Sequence, residues 1–367
     1  MPTVSDVLAA IDRLAPLALA ESWDNVGLIF GDGTWPAQRV LVSLDVGEAV
    51  IEEAERLAAD CLVVHHPLLF KPVSRLTDET RTGRLALRLL AGKRAVIAAH
   101  TNLDSAAGGL CDIVGRMAGL EDMTPLEPAI LQHHHKIVVF VPEAALEAVR
   151  SAAFAAGAGG IGRYSQCSFT VAGAGTFLPG EGARPTVGQP GQRSTVPEVR
   201  LEMICPDDRL AAALAAIGRA HPYEEPAIDV FPLHPAPSGM GIGRVGRLTE
   251  SSTAAALADK VKRALGLAAI TLAGDPRVRV ERAAVVTGAG SDCIEMVIQS
   301  GTQAFITGEL RLHETQHLAA AGVAVILGGH WATERVPLNL WAPRLAAEVQ
   351  GAQVVLSQAE VDPHRSI

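Results

Sequence analysis

The sequence predicts an α/β protein: two α/β halves interrupted by a ferredoxin-like α+β insertion. Three observations carry that reading. Short Val/Ile/Leu runs alternate with helical patterns over residues 1–130, and the same rhythm returns over residues 282–357. Between them lies a stretch whose order is strand, helix, strand, strand, helix, strand. The chain is 49% apolar but only 4% aromatic, so an aliphatic core of packed α/β layers is expected.

Thr3 to Asp6 has the form of a capping box and opens an amphipathic helix, with Val7, Leu8, Ile11 and Leu14 at helical spacing until Pro16. The runs RVLVSLD (39–45), CLVVHHP (61–67) and RAVIAAHTNLD (94–104) read as strands, followed by helices at 48–59, 80–91 and 106–118. Near-continuous apolar strands alternating with helices imply a parallel sheet covered on both faces. The later strands are RAAVVTGAG (282–290), QAFITGE (303–309), VAVILGGH (323–330) and AQVVLS (352–357), with helices at 291–300, 311–321 and 333–349.

The middle reads as strand 136–142, helix 143–156, strands 165–177 and 198–206, helix 207–220 and strand 227–233, a βαββαβ order of ferredoxin-like type. Residues 178–197, rich in Gly, Pro, Arg and Thr, form a long hairpin excursion. Pro125 and Pro128 on one side and HPAPSG (234–239) on the other suit domain boundaries. The expected domains are 1–130, 131–235 and 236–367.

A formal charge of -9 without a long basic run argues against a dedicated nucleic-acid or anionic-membrane surface. Five scattered cysteines, without C-x-x-C, suit free thiols in a reducing compartment. Asp6 and Asp12 interrupt any signal-peptide pattern, and no apolar stretch reaches membrane-span length. A cytoplasmic protein is expected.

Ligands of α/β sheets bind beyond the carboxyl ends of the strands. There the sequence sets His65-His66-Pro67, His100 with Asp104, Glu309 with His313, and Gly328-Gly329-His330 with Glu334. Imidazole and carboxylate are the ligand types of Zn, Fe, Mn and Co. Neighbouring histidines on an extended strand face opposite ways, and a bend before Pro67 lets them splay toward two ions. His330 and Glu334 share a helix face, and a carboxylate such as Asp104 or Glu334 has two oxygens with which to bridge. Each also has a plainer reading: a core histidine pair, a surface ion pair on a helix, and Asp104 as the cap of the helix at 106.

Other motifs carry less. HHH (133–135) precedes a strand without a carboxylate nearby in sequence and reads as a solvated turn. GAGGIG (157–162) and GIGRVG (241–246) fit a dinucleotide pattern by letter without the strand-turn-helix context. TGAGSD (287–292) is a phosphate cradle or a plain tight turn. Neither a nucleophile elbow nor a Walker loop occurs. WDNVGL (23–28) lines a cavity or anchors the first helix, and HPYEEP (221–226) is a ligand loop or a helix-ending turn.

The motifs ESWDNVGLIFGD (21–32), LVVHHPLLF (62–70), AAHTNLDSAAGG (98–109), ITGELRLHE (306–314) and GGHWATE (328–334) occur in the order and spacing of the NIF3-like family, also labelled GTP cyclohydrolase I type 2, which the chain resembles over nearly its whole length. The insertion, ending in HPYEEPAIDVFPL (221–233), is similar to the PII/CutA-like domain of longer members. The resemblance implies that His65, His66, Asp104, His330 and Glu334 ligate two divalent metal ions per chain. It places His100, Glu309 and His313 beside that site, in outer or proton-transfer roles, and it implies a toroidal homohexamer. It leaves two functions in view: a metal-dependent hydrolase using activated water on a nucleotide or phosphoester, and a non-catalytic metal-binding hexamer whose insertion senses a ligand or partner.

Overall fold

A computed structural model describes residues 1–131, 133–234 and 238–365. The sequence motif HPAPSG therefore lies partly outside the described residues. The chain forms two compact units, one from Met1–Ala129 with Ser238–Ile367 and one from Ile130–Pro237.

The first unit holds two mixed sheets with helices between and around their strands. In the first sheet the spatial order is Gly27–Phe30, Ala95–Ala98, Cys61–Val64, Arg39–Ser43, Gln353–Leu356. Every neighbouring pair is parallel except Gly27–Phe30, which runs antiparallel along the edge. All residues of Cys61–Val64 and Ala95–Ala98 are buried, which is why these strands read as unbroken apolar runs. Leu41, Leu62, Val64, Val96 and Ala98 pack on Val50, Ile51 and Ala54 of the helix Glu48–Arg56 and on Leu85 and Leu89 of the helix Arg81–Ala91.

The second sheet is ordered Thr271–Ala273, Ala324–Leu327, Ala304–Glu309, Arg279–Ala289, Arg244–Thr253, Leu120–Thr124. Its centre is parallel and its outer strands are antiparallel. Side chains alternate faces along a strand. Val285, Ile306 and Ile326 accordingly pack with Leu257 and Val261 of the helix Ala254–Ala264, whereas Phe305 and Val325 meet Val297 and Leu318 on the other face.

Four features correct the reading from sequence. The run 352–357 does not extend the later strands but completes the first sheet beside Arg39–Ser43. Leu120–Thr124, from the early half, joins the second sheet instead. The end of the strand expected at 94–104 is a short helix, Thr101–Ser105, and the helix expected at 106–118 begins only at Leu110, as Leu110–Ala118, so two helices stand here. They part at Gly108, with φ +71°, and Gly109, where a Cβ would sit 1.8 Å from the Leu103 carbonyl oxygen. The helix expected at 333–349 is likewise two, His330–Arg335 and Leu338–Glu348, because Pro337 cannot continue a hydrogen-bonded helix. The capping box at Thr3 and Asp6 opens the helix Val4–Leu14 as expected.

The second unit is an antiparallel sheet ordered Ile228–Pro232, His134–Val141, Ser194–Pro206, Phe169–Phe177. His134 and His135 belong to a strand, not to a turn. The helices Leu146–Ala155 and Asp207–Ala220 lay Val149, Ala153, Ala213 and Ile217 on Ile137, Val139, Leu201 and Met203.

Candidate metal centre

The first unit brings together at one point the ends of four of its segments. Cys61–Val64 ends in His65 and His66, and the chain after Ala95–Ala98 supplies His100 and, on the short helix, Asp104. The chain after Ala324–Leu327 supplies His330 and Glu334 on the helix His330–Arg335, with Gly329 as its N-cap at φ 84°. The fourth contributor is Thr287, near the end of Arg279–Ala289.

Each imidazole is held by one nitrogen and presents the other. His65 is 1% exposed. Its Nδ1 lies 2.8 Å from the Ala99 carbonyl oxygen, so Nδ1 donates there and Nε2 is left facing the acidic pair. His66 Nδ1 meets Asp45 Oδ1 at 2.9 Å, His100 Nδ1 meets Asp24 Oδ1 at 2.8 Å, and His330 Nδ1 meets Glu309 Oε1 at 3.1 Å. A carboxylate or carbonyl behind each ring is the arrangement that orients metal-ligating histidines.

The free nitrogens converge on the acidic pair. His65 Nε2 lies 3.6 Å from Asp104 Oδ2 and 3.7 Å from Glu334 Oε1. Glu334 Oε2 lies 3.0 Å from His66 Nε2 and 3.2 Å from His330 Nε2. Despite this closeness, buried His65 Nε2 and Glu334 Oε2 have no aligned hydrogen-bond partner among the described residues. Buried polar atoms are rarely left so. Donor atoms that crowd together without bonding to one another suit a cation between them. Three overlapping groups, His65/His66/His100, His66/His330/Glu334 and His65/Asp104/Glu334, each offer donor atoms within 4.8 Å of one another and can hold a metal ion.

The charges respond accordingly. Burial pushes Glu334 upward, but the imidazoles, His65 foremost, hold it well below the usual carboxylate range. Burial pushes His66 downward, and Asp45 and Glu334 outweigh it, lifting it to about 10. The Glu334 carboxylate raises His330 to about 9 against the cost of burial. Burial, partly offset by His65, raises Asp104, whose Oδ1 also accepts a 2.6 Å bond from Thr287 Oγ1. Asp24 is brought down to about 2: burial opposes this, while His100 and Thr101 favour the charged form.

Beside the cluster is a cavity of about 370 Å³ lined in part by Trp23, His100, Asp104, Thr287, His330 and Glu334. The glycine after Thr287 has a steric reason: a Cβ on Gly288 would sit 2.1 Å from Glu334 Oε1 and 3.2 Å from His330 Nε2. The TGAGSD turn thus lets the backbone approach the site closely.

The profile of the Duf34/NIF3 (NGG1p interacting factor 3) family matches residues 2–363. The chain belongs to the Duf34/NIF3 family. A Mycobacterium tuberculosis relative named GTP cyclohydrolase 1 type 2 homolog is 41% identical over 335 residues, covering 90% of this chain and 88% of the relative. A Bacillus subtilis relative of the same name is 36% identical over 326 residues, covering 89% and 87%. The crystal structure of a Bacillus cereus protein related to NIF3 matches with a TM-score of 0.73 at 32% identity, covering 100% of this chain and 99% of that one.

In this Duf34/NIF3 fold, His65, His66, Asp104, His330 and Glu334 lie together. His100 is nearer than an outer role requires, since its ring centroid is 5.1 Å from that of His65 and 5.4 Å from that of His66. Glu309 stands behind His330. His313, on the helix Leu312–Ala320, is exposed and joins none of the three donor groups. Asp24, Asp45 and Thr287 were missed as site residues. Asp24 lies inside WDNVGL and Asp45 closes RVLVSLD at a strand end, and a single acid in a largely apolar run was the available signal.

Proposed function

We propose that the cluster is a dinuclear centre and that the protein is a metal-dependent hydrolase acting on a nucleotide or phosphoester. The observation that carries this is the posture of Glu334, which turns one oxygen toward His65 and the other toward His66 and His330, as a bridging carboxylate would. On this reading His65, His66, Asp104, His330 and Glu334 ligate the ions, with Zn, Fe, Mn and Co all compatible with the donor set. Two divalent ions there would act as Lewis acids and bring the pKa of a coordinated water toward ~7. The chain's own part is to fix the donors: the Ala99 carbonyl, Asp45, Asp24 and Glu309 set the tautomer and orientation of the four rings. His100, backed by Asp24, and Glu309 are the candidate proton carriers, with His313 the more remote one. The relatives' name, GTP cyclohydrolase 1 type 2 homolog, supports a purine nucleotide as first substrate to try.

The reading extends to a cytoplasmic homohexamer whose domains are 1–130, 131–235 and 236–367, the middle one PII/CutA-like. Elemental analysis of untreated protein, then assay with that metal restored against GTP, other nucleotides and phosphoesters, tests the chemistry. Turnover that Asp104→Ala and Glu334→Ala both abolish is expected, and a fully loaded protein inert toward all of them removes the hydrolase. A second reading, a non-catalytic metal-binding scaffold or regulator, is favoured by the separate Ile130–Pro237 unit with a cavity of its own. Under it, the same double loss of metal abolishes a partner response without any turnover to lose.

A further inference from the structure

The Ile130–Pro237 unit encloses a cavity of about 630 Å³, within the range of small-molecule sites. It lies against the sheet face opposite the helices: Val139 and Val141 face the helical core, so Phe140 between them points the other way, as does Glu198 beside Val199. Phe140, Phe177 and Tyr223 give it an aromatic lining, and the hairpin segment through Arg184 and Val187 covers one side.

The HPYEEP turn builds one wall. His221 is structural: its Nδ1 accepts from the Tyr223 N–H at 3.1 Å, so its Nε2–H donates to the Phe140 carbonyl at 3.0 Å. That neutral ring stacks edge-on to Tyr223, with centroids 4.9 Å apart, and so aims the phenol. The hairpin is latched to the same turn, with Thr186 Oγ1 donating to the Pro222 carbonyl at 2.8 Å and the Arg184 N–H donating to Glu224 Oε2 at 3.0 Å.

Two polar groups inside remain for a ligand. The Tyr223 hydroxyl is buried without an aligned hydrogen-bond partner among the described residues, and burial together with the neighbouring Glu198 carboxylate pushes its pKa up to about 12. The Glu198 carboxylate lies over Gly175, where a Cβ would be 2.0 Å from Oε2; on the adjoining strands Lys136 pairs with Glu202, and Arg200 pairs with Glu202 through Nε while its guanidinium carbon lies 5.7 Å from the Phe140 ring centroid. Three carboxylates, Glu198, Glu224 and Glu225, line the cavity against one guanidinium, Arg184.

We propose that this cavity binds a small organic cation carried on an apolar or aromatic body, with Glu198 as counter-ion, Tyr223 as polar partner and Phe140 and Phe177 as the surface for the body. Anionic ligands of the same shape are disfavoured by the carboxylate excess. The site is independent of the metal cluster and of the chemistry proposed there.

Isothermal titration of the full-length protein with tryptamine and with indole-3-propionate, which share a body and differ in the sign of the charge, tests this. Tryptamine is expected to bind and the propionate to bind at least roughly tenfold more weakly, the scale of one charge-assisted contact. Glu198→Gln is expected to weaken tryptamine by a similar factor and Arg184→Gln not to weaken it. Gly175→Ala, which keeps every charge but displaces the Glu198 carboxylate, is expected to reproduce the loss and serves if Glu198→Gln misfolds. Absence of tryptamine binding, equal binding of the two probes, or tryptamine affinity untouched by both Glu198→Gln and Gly175→Ala overturns the proposal.

Discussion

Glu334 is 3% exposed, and at that depth an ionised carboxylate survives only if positive charge surrounds it. In the metal-free protein that charge is carried by protons on imidazole. With His66 lifted to about 10 and His330 to about 9, both rings are protonated at neutral pH. A ligating ring must be neutral, so a metal ion has to displace those protons. Metal uptake is therefore expected to release protons near pH 7, and apparent affinity is expected to rise as the pH climbs toward those two values and then level off. Proton release in weakly buffered indicator solution, paired with titrations at several pH values, measures it; an affinity flat across that window contradicts the assignment. The outer partners give a second expectation at this scale. Asp45→Asn leaves a neutral group behind His66 and is expected to weaken metal binding by ~10–100-fold, read by competition with a chromogenic chelator. If affinity is unchanged, His66 is not held for a metal.

At the scale of elements, GIGRVG has a structural purpose. Arg244 within it is 1% exposed and donates to Asp112 Oδ1 at 2.6 Å, to the Gly241 and Gly243 carbonyls at 2.8 and 2.6 Å, and to the Ala106 carbonyl at 2.7 Å. It thereby pins the break between the helices Thr101–Ser105 and Leu110–Ala118, immediately after Asp104. Arg244→Leu would strand the Asp112 carboxylate and is expected to cost ~3–5 kcal/mol, visible as a lowered denaturant midpoint. Gly288→Ala, at φ +63° and beneath Glu334, is expected to lower metal content with little change in secondary structure, as checked by elemental analysis beside circular dichroism. These elements also mark how far the sequence could be read. Buried strands such as Cys61–Val64 announce themselves, because covering both faces forces an unbroken apolar run. The helix Ala254–Ala264 was overlooked although Thr253 caps it and Leu257, Val261 and Leu265 follow at fourfold spacing. The candidate donors were legible because ligation would demand particular atoms at strand ends. Their partners were not, because any acid can stand behind a ring and only the fold decides which one does.

For the whole molecule, local patterns were silent on pairing: nothing within AVILGG or AQVVLS specifies which sheet receives each, since apolar β-strands differ little in what they can pair with. Thus the crossing of Gln353–Leu356 into the first sheet, and of Leu120–Thr124 into the second, emerged only from the fold. The junction of the Ile130–Pro237 unit is narrow: Ser238 Oγ donates to the Ala129 carbonyl at 2.7 Å, so the chain leaves and re-enters the first unit at neighbouring residues. Replacing residues 130–237 by a short Gly/Ser linker is therefore expected to leave metal stoichiometry unchanged, because all the donor residues lie in the first unit. Loss of metal from a folded deletion variant, by elemental analysis, would show the insertion to be required for the site.

The return of Gln353–Leu356 to lie beside Arg39–Ser43 also sets a clock on synthesis. Until Glu334 is made, the nascent chain holds His65, His66, His100 and Asp104 without His330 and Glu334, and until Leu356 is made it lacks the edge strand that closes the first sheet. The donors are all present once residue 334 has been added, but the sheet that carries His65 and His66 is closed only by Gln353–Leu356, so any metal is expected to load after that strand has been made.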